Sequence, residues 1–232
     1  MKKMKHQIAS LLRDAAQALV VAAALTAAGS ACAQTAGTWM VKVGYNQITP
    51  KVSSGDLSSP SLPGTKIDVD SADSLIVTAA YMFTDHVSGE LMLGAPYKHD
   101  LIGAGSISGA GKIGTVEQLP PTLMLQYRFR EPTAKFRPYV GLGVTYAIFQ
   151  KETGSATLTA LTNPGGATTV RVDDAWGGTA QLGITYALDE KWFADLSAQK
   201  TYIKTTANLS TGQSIDTRLD PVSVNFSIGY RF

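Results

Sequence analysis

The sequence contains little cysteine and little charge, and it lacks long hydrophobic runs beyond its start. One cysteine in 232 residues excludes a disulfide framework. No apolar run of eighteen residues occurs after Ala33, so no transmembrane helix is predicted there. The formal net charge of +2 is too small for a polybasic domain, and we expect no nucleic-acid partner. Hydrophobic residues make up 44% of the chain, which disfavours disorder.

The first 33 residues have the order of a secretory signal peptide. Three lysines lie within the first five residues, an apolar stretch covers 15–28, and small residues end it at Ala33. This order predicts cleavage after Ala33, since the apolar stretch is shorter than the roughly 20 residues of a spanning helix. The alternative that Cys32 is a lipoprotein acceptor is disfavoured by Gly29, which stands where an aliphatic residue is expected.

Downstream of Ala33, apolar residues alternate with polar or small ones, as in half-buried strands. Eight segments show this alternation, near 39–46, 75–83, 91–97, 123–129, 136–148, 176–188, 192–198 and 222–232. Their connections alternate between tight turns and long loops, a pattern typical of outer-membrane barrels. We therefore predict an all-β fold for residues 34–232: an eight-stranded antiparallel transmembrane β-barrel with long extracellular loops and short periplasmic turns.

The outward face in this register is almost free of charge. Lys200 is its one charged residue, and a Lys or Arg at the bilayer midplane costs about 2–4 kcal/mol. The register also turns Tyr97 outward and Lys98 inward. A soluble lipocalin-like barrel would need the opposite polarity. Aromatic residues collect at the turn-side strand ends, as expected at a membrane interface; they are Trp39, Phe83, Phe129, Phe136, Trp192, Tyr230 and Phe232.

The inward face mixes apolar and charged residues. The apolar residues are candidates to line a passage: Ile76, Met82, Met92, Met124, Phe149, Phe193 and Ile203. The charged residues are candidates for a network in the lumen: Lys42, Glu90, Arg128, Arg137 and Asp195. An eight-stranded barrel is wide enough for side chains to fill it or for one small ligand. Filling the lumen and lining a passage therefore both remain open for these residues.

Several segments of the chain resemble the OmpW family of eight-stranded outer-membrane barrels. They are WMVKVG at 39–44, Pro50, APYKH at 95–99, LPPT at 119–122, RPYVGLG at 137–143, DP at 220–221 and GYRF at 229–232. Lys42 stands where the family is expected to have arginine.

The resemblance implies a narrow channel for passive passage of small hydrophobic compounds across the outer membrane of a Gram-negative bacterium. The implied partners are outer-membrane lipid and lipopolysaccharide, the barrel-assembly machinery and small hydrophobic molecules. Tyr230 and Phe232 would serve as the assembly signal.

Two other function classes are alternatives to a channel. A lipid or ester hydrolase could use His99 as its base, but no nucleophile stands at a recognisable spacing from it, and we expect no enzyme. A surface adhesion or receptor barrel would bind partners through its loops without transport.

The GAGKIG segment at 109–114 lacks the strand and helix of a dinucleotide site. One histidine with scattered carboxylates is a poor metal site, so we predict neither metal nor cofactor.

Overall fold

Residues 34–162 and 166–232 are described by a computed structural model, and the predicted signal peptide at 1–33 lies outside the described residues. No helix within these ranges is long and apolar enough to cross a membrane. The ranges contain β1 Trp39–Thr49, β2 Ser53–Ser54, β3 Thr65–Val69, β4 Ala72–Met82, β5 Val87–Gly94, β6 Tyr97–Gly105, β7 Lys112–Leu119, β8 Thr122–Arg128, β9 Phe136–Gly154, α1 Ala156–Thr162, β10 Val170–Val172, β11 Ala175–Ala187, β12 Trp192–Leu209, β13 Ser214–Arg218 and β14 Val222–Arg231.

Eight of these strands close into an antiparallel ring. The order is β14, β1, β4, β5, β8, β9, β11 and β12, and β12 pairs back with β14. The first and last strands of the chain are therefore neighbours, with Val43 opposite Ile228. The prediction of an eight-stranded antiparallel barrel is confirmed.

The two ends of the ring differ in their connections. At one end, residues 83–86, 129–135 and 188–191 make short turns, as predicted for the periplasmic side. At the other end, four long connections contain the remaining strands and α1. The hairpin of β6 and β7 pairs with the upper part of β9, and β10 and β13 pair with the upper part of β12. The long connections thus form an extracellular extension of the barrel wall.

The outer surface of the ring is apolar and exposed. Burial alternates strictly along β8, because successive side chains of a strand point to opposite faces. Leu142 is 71% exposed and Leu75 is 65% exposed, as expected for side chains that face lipid. The turn-side aromatic residues form a girdle in which neighbouring rings touch; Trp192 and Tyr230 have centroids 5.1 Å apart.

The predicted register is wrong at one place. Tyr97 is 1% exposed, and its hydroxyl accepts a hydrogen bond from Asn46 Nδ2 at 2.7 Å inside the barrel. Lys98 is exposed instead of inward. The alternation of β5 does not continue because Pro96 separates it from β6, and the two-residue period starts again at Tyr97.

Candidate functional site

A buried charge cluster fills the centre of the ring. Lys42 Nζ on β1 lies 2.7 Å from Glu90 Oε2 on β5 and 3.1 Å from Asp195 Oδ1 on β12. Tyr139 donates its hydroxyl hydrogen to Asp195 Oδ1 at 3.0 Å, and Thr185 donates to Asp195 Oδ2 at 3.1 Å. All five side chains are buried. Three strands far apart in sequence are therefore joined across the lumen.

Arg128 extends this cluster through neutral partners. Its guanidinium donates to Ser88 Oγ at 3.0 Å, Thr185 Oγ1 at 3.1 Å and Gln126 Oε1 at 2.8 Å. It also lies 4.7 Å from the centroid of the Tyr139 ring, within the range of a cation–π contact. Hydroxyl and amide groups thus satisfy a fully buried cation.

Arg137 lies apart from the other charged residues, at the periplasmic end of the ring. It donates hydrogen bonds to the backbone carbonyls of Gln34 at 2.9 Å and Phe129 at 3.2 Å, and also to the carbonyl of Asp85. These partners belong to the segment before β1 and to two periplasmic turns. Arg137 therefore ties the ends of three elements together beneath the charge cluster.

Three of the predicted lining residues lie in this filled half of the lumen: Met82, Met124 and Phe193. Met82 and Phe193 pack with Met40 in one buried cluster. Met124 is the register partner of Glu90 on the adjacent strand. Side chains at these positions occupy the lower half of the barrel.

The upper half of the lumen and the extracellular extension contain three successive cavities. The outer cavity has a volume of about 700 Å³ including its open mouth. Its apolar lining includes Leu57, Leu62, Leu101, Ile113, Leu158 and Ile215. The outer and middle cavities share Ile67, Leu101 and Ala207. The middle and inner cavities share Ile48, Gln118 and Pro221. The cavities therefore lie next to one another from the extracellular end into the ring.

The other four predicted lining residues border these cavities. Phe149 lines the middle cavity, and Ile76, Met92 and Ile203 line the inner cavity. All four are buried from bulk solvent.

A ladder of threonine hydroxyls lies along the wall of the inner cavity. The Oγ1 atoms of Thr122 and Thr145 are 2.9 Å apart, those of Thr145 and Thr179 are 2.6 Å apart, and those of Thr179 and Thr201 are 3.0 Å apart. The four residues lie on four adjacent strands, β8, β9, β11 and β12. Sequence reasoning missed this ladder, although each threonine stands at an inward position of its strand.

A break in strand pairing borders the inner cavity. The ladder between β5 and β8 ends at the pair Met92 and Thr122, and the ladder between β6 and β7 begins at the pair Tyr97 and Gln118. Within the described chain, no ladder pair joins the segments between these two points. We call these segments the seam: residues 93–96 and 119–121.

Proline explains why the ladder stops at the seam. Pro96 lies on one side, and Pro120 and Pro121 lie on the other; proline has no N–H to donate. Gly94 and Pro120 belong to the lining of the inner cavity. The inner cavity therefore reaches the barrel wall where no ladder pair joins the two segments of the seam to each other. Each segment is still held to its other neighbour: Ala95 N donates to the Leu75 carbonyl, and Tyr146 N donates to the Pro121 carbonyl.

His99 lies on β6 above the seam and lines the middle cavity. Its Nδ1 is 2.7 Å from the carbonyl oxygen of Asp70. The neighbouring Asp100 carboxylate pairs with Lys112 Nζ at 2.8 Å instead. Burial lowers the pKa of His99 below its ordinary value, because the charged imidazolium is disfavoured away from water. The ring is thus neutral at neutral pH.

The sequence model of the OmpW family matches residues 35–232. The chain belongs to the OmpW family. It is 34% identical to outer membrane protein W of Vibrio cholerae over 218 residues, which cover 92% of this chain and 97% of that protein. Its fold is similar to the crystal structure of OprG from Pseudomonas aeruginosa, with a TM-score of 0.79, 30% identity, and coverage of 88% of this chain and 99% of OprG.

One further relative is named after a metabolic operon. The dibenzothiophene metabolism operon protein PahQ of Pseudomonas aeruginosa is 26% identical over 199 residues, which cover 84% of this chain and 88% of PahQ. The family and the barrel together make this chain an outer-membrane protein of a Gram-negative bacterium.

Proposed function

We propose that this barrel is a channel for passive passage of small hydrophobic compounds across the outer membrane. The observation that carries the proposal is the series of cavities, which begins at the extracellular end and is lined mainly by leucine, isoleucine and valine. Concave apolar surface of this kind binds apolar molecules. The name of PahQ, which places that protein in an operon for metabolism of an apolar aromatic compound, agrees with this substrate class.

The route we propose turns sideways at the seam. Lys42, Glu90 and Asp195 close the centre of the ring, with Met82 and Phe193 packed beneath them. An apolar molecule that continued downward would have to displace these buried ion pairs. Separating the two segments of the seam would break no ladder pair between them, and for this reason we place the exit there, into the membrane.

Uptake by intact cells tests this function. Cells that lack their own channels of this family and keep a complete lipopolysaccharide layer would express the protein or an empty vector. We expect faster uptake of dibenzothiophene, followed by its intrinsic fluorescence, in cells with the protein. Equal rates would contradict a channel. An adhesion barrel would be favoured by two results together: equal uptake rates, and binding of the cells to a surface that disappears when residues 106–111 are deleted.

Contact with lipopolysaccharide is proposed at one part of the outer rim. Lys204 on β12 and Arg218 on β13 are both exposed and lie directly opposite each other, although like charges at such positions destabilise a sheet. Arg218 Nε has an acidic neighbour only at 3.8 Å, Asp220 Oδ2, whereas Lys151 Nζ lies 2.9 Å from Glu117 Oε2. A phosphate group of the outer leaflet would neutralise the Lys204 and Arg218 pair.

The final residues are proposed as the signal read by the barrel-assembly machinery. The Tyr230 and Phe232 rings have centroids 4.8 Å apart on the turn-side girdle. Deleting Phe232 is expected to lower the amount of folded, heat-modifiable barrel in the outer membrane. Phe136→Ala, at another girdle position that is 46% exposed, is the control, and equal amounts for both variants would contradict this role.

A further inference from the structure

The middle cavity contains a buried nitrogen without a hydrogen-bond partner. His99 is 2% exposed. A carbonyl oxygen only accepts hydrogen bonds, so Nδ1, which faces the Asp70 carbonyl at 2.7 Å, carries the hydrogen of the neutral ring. Nε2 then has a free lone pair; the Gln118 side chain lies beside it but makes no well-formed hydrogen bond to it, nor does any other residue that the structure describes. This atom is an acceptor inside a cavity.

A second unpartnered polar atom lies in the same cavity. Thr217 Oγ1 is buried and has no hydrogen-bond partner among the described residues, and Thr217 lines the middle cavity together with His99. Most of the remaining lining is apolar, including Leu101, Val116 and Phe149. Buried polar atoms are normally satisfied, so these two atoms mark a place where a ligand supplies the missing partner.

A similar atom lies further along the route. Asn46 donates from Nδ2 to the Tyr97 hydroxyl at 2.7 Å, while its Oδ1 has no partner within the described residues. Asn46 lines the inner cavity, next to the seam. Two acceptors therefore follow each other between the middle cavity and the seam.

We propose that the middle cavity binds apolar molecules that carry one hydrogen-bond donor, an N–H or O–H group, and that this donor bonds to His99 Nε2. Asn46 Oδ1 would accept the same donor as the molecule moves towards the seam. The inference rests on the proposed channel function and narrows its substrate class. Apolar compounds with a donor would be taken up faster than hydrocarbons or thioethers of the same shape.

Two tricyclic probes of nearly equal shape separate this proposal from general apolar passage. Carbazole has an N–H group where dibenzothiophene has a sulfur atom that cannot donate. Uptake of each probe would be measured in cells that express the wild type, His99→Leu or His99→Gln. We expect His99→Leu to slow carbazole uptake roughly two- to tenfold and to leave the rate of dibenzothiophene uptake unchanged. This factor corresponds to the loss of one hydrogen bond of about 0.5–1.5 kcal/mol.

His99→Gln keeps an acceptor and should restore carbazole uptake. Lys98→Leu is the matched control, because its side chain is exposed on the opposite face of β6. Gel mobility before and after heating shows whether each variant folds.

The outcomes separate the two proposals. Equal effects of His99→Leu on both probes, or no effect on either, would overturn the donor preference while leaving the channel in place. If the wild type took up neither probe faster than the empty vector, the channel function would fail, and the inference would fail with it.

Discussion

Lys42 is held between two buried carboxylates, and the stability of the lower half of the barrel depends on that arrangement. Each carboxylate would be costly to bury alone. The burial is compensated because Lys42 contacts both carboxylates, and Tyr139 and Thr185 supply hydrogen bonds to Asp195. At the scale of the residue, this group acts as a cross-link between strands.

Lys42→Met should destabilise the barrel by about 3–5 kcal/mol, because it leaves two buried carboxylates without a cation. The measurement is the urea midpoint of unfolding in lipid vesicles. Adding Glu90→Gln to Lys42→Met should recover part of the loss. Lys66→Met is the control: Lys66 and Asp56 are both exposed and 3.9 Å apart, and such pairs contribute little. Equal losses for the two lysines would contradict the cluster's role.

Inward glycines make room for the large side chains of the filled half. A Cβ atom at Gly229 would overlap Cζ of Phe193. Gly229→Ala should therefore cost about 1–3 kcal/mol of unfolding free energy through overpacking. Phe193→Leu, added to it, should relieve part of this cost. Gly178→Ala, where a Cβ atom meets nothing within 4 Å, should have little effect in the same unfolding assay.

At the scale of the elements, alternation alone predicted the eight ring strands, because a lipid-facing strand must place an apolar residue at every second position. It could not predict the seam, where prolines interrupt one hairpin and reset the period at Tyr97. Alternation does not predict the strands of the extracellular extension. β2, β3 and β10 are short and pair with distant segments, although β6 and β7 form a local hairpin. The threonine ladder depends on which strands become neighbours, and a sequence pattern does not specify that.

The seam gives a prediction at this scale. Replacing Pro120 and Pro121 together by valine restores both backbone N–H groups. Successive N–H groups of a strand point to opposite sides, so one of them can donate towards 93–96 and extend the ladder. We expect slower uptake of dibenzothiophene with unchanged folding. Pro132→Val, in a periplasmic turn, should leave uptake at the wild-type rate. Wild-type uptake by the double variant would argue against exit at the seam.

At the scale of the whole molecule, the outer rim must match the charged headgroups above the lipid chains. Tyr202 marks the rim, with 62% of its side chain exposed, and Lys204 follows two residues later on the same face of β12. Arg218 has one distant acidic neighbour, with its Nε 3.8 Å from Asp220 Oδ2. This side of the barrel is therefore suited to an anionic headgroup.

Lipid A with two phosphates should raise the unfolding temperature of the detergent-solubilised barrel more than lipid A without phosphates. The double variant Lys204→Ala with Arg218→Ala should lose most of this difference, because it removes both cations. Lys112→Ala is the control, since Lys112 already pairs with Asp100. A phosphate-dependent shift that persists in the double variant would place the lipid contact elsewhere.

The pairing of β1 with β14 also determines the order in which the barrel can be completed. The chain is made from its N terminus, so one edge of β1 has no partner until the last residues, ending at Phe232, have arrived. Unpaired strand edges can pair with other chains, which leads to aggregation. The exported chain must therefore be kept from self-association throughout its synthesis and transit. Loss of even the final strand leaves an open sheet with two free edges rather than a smaller barrel.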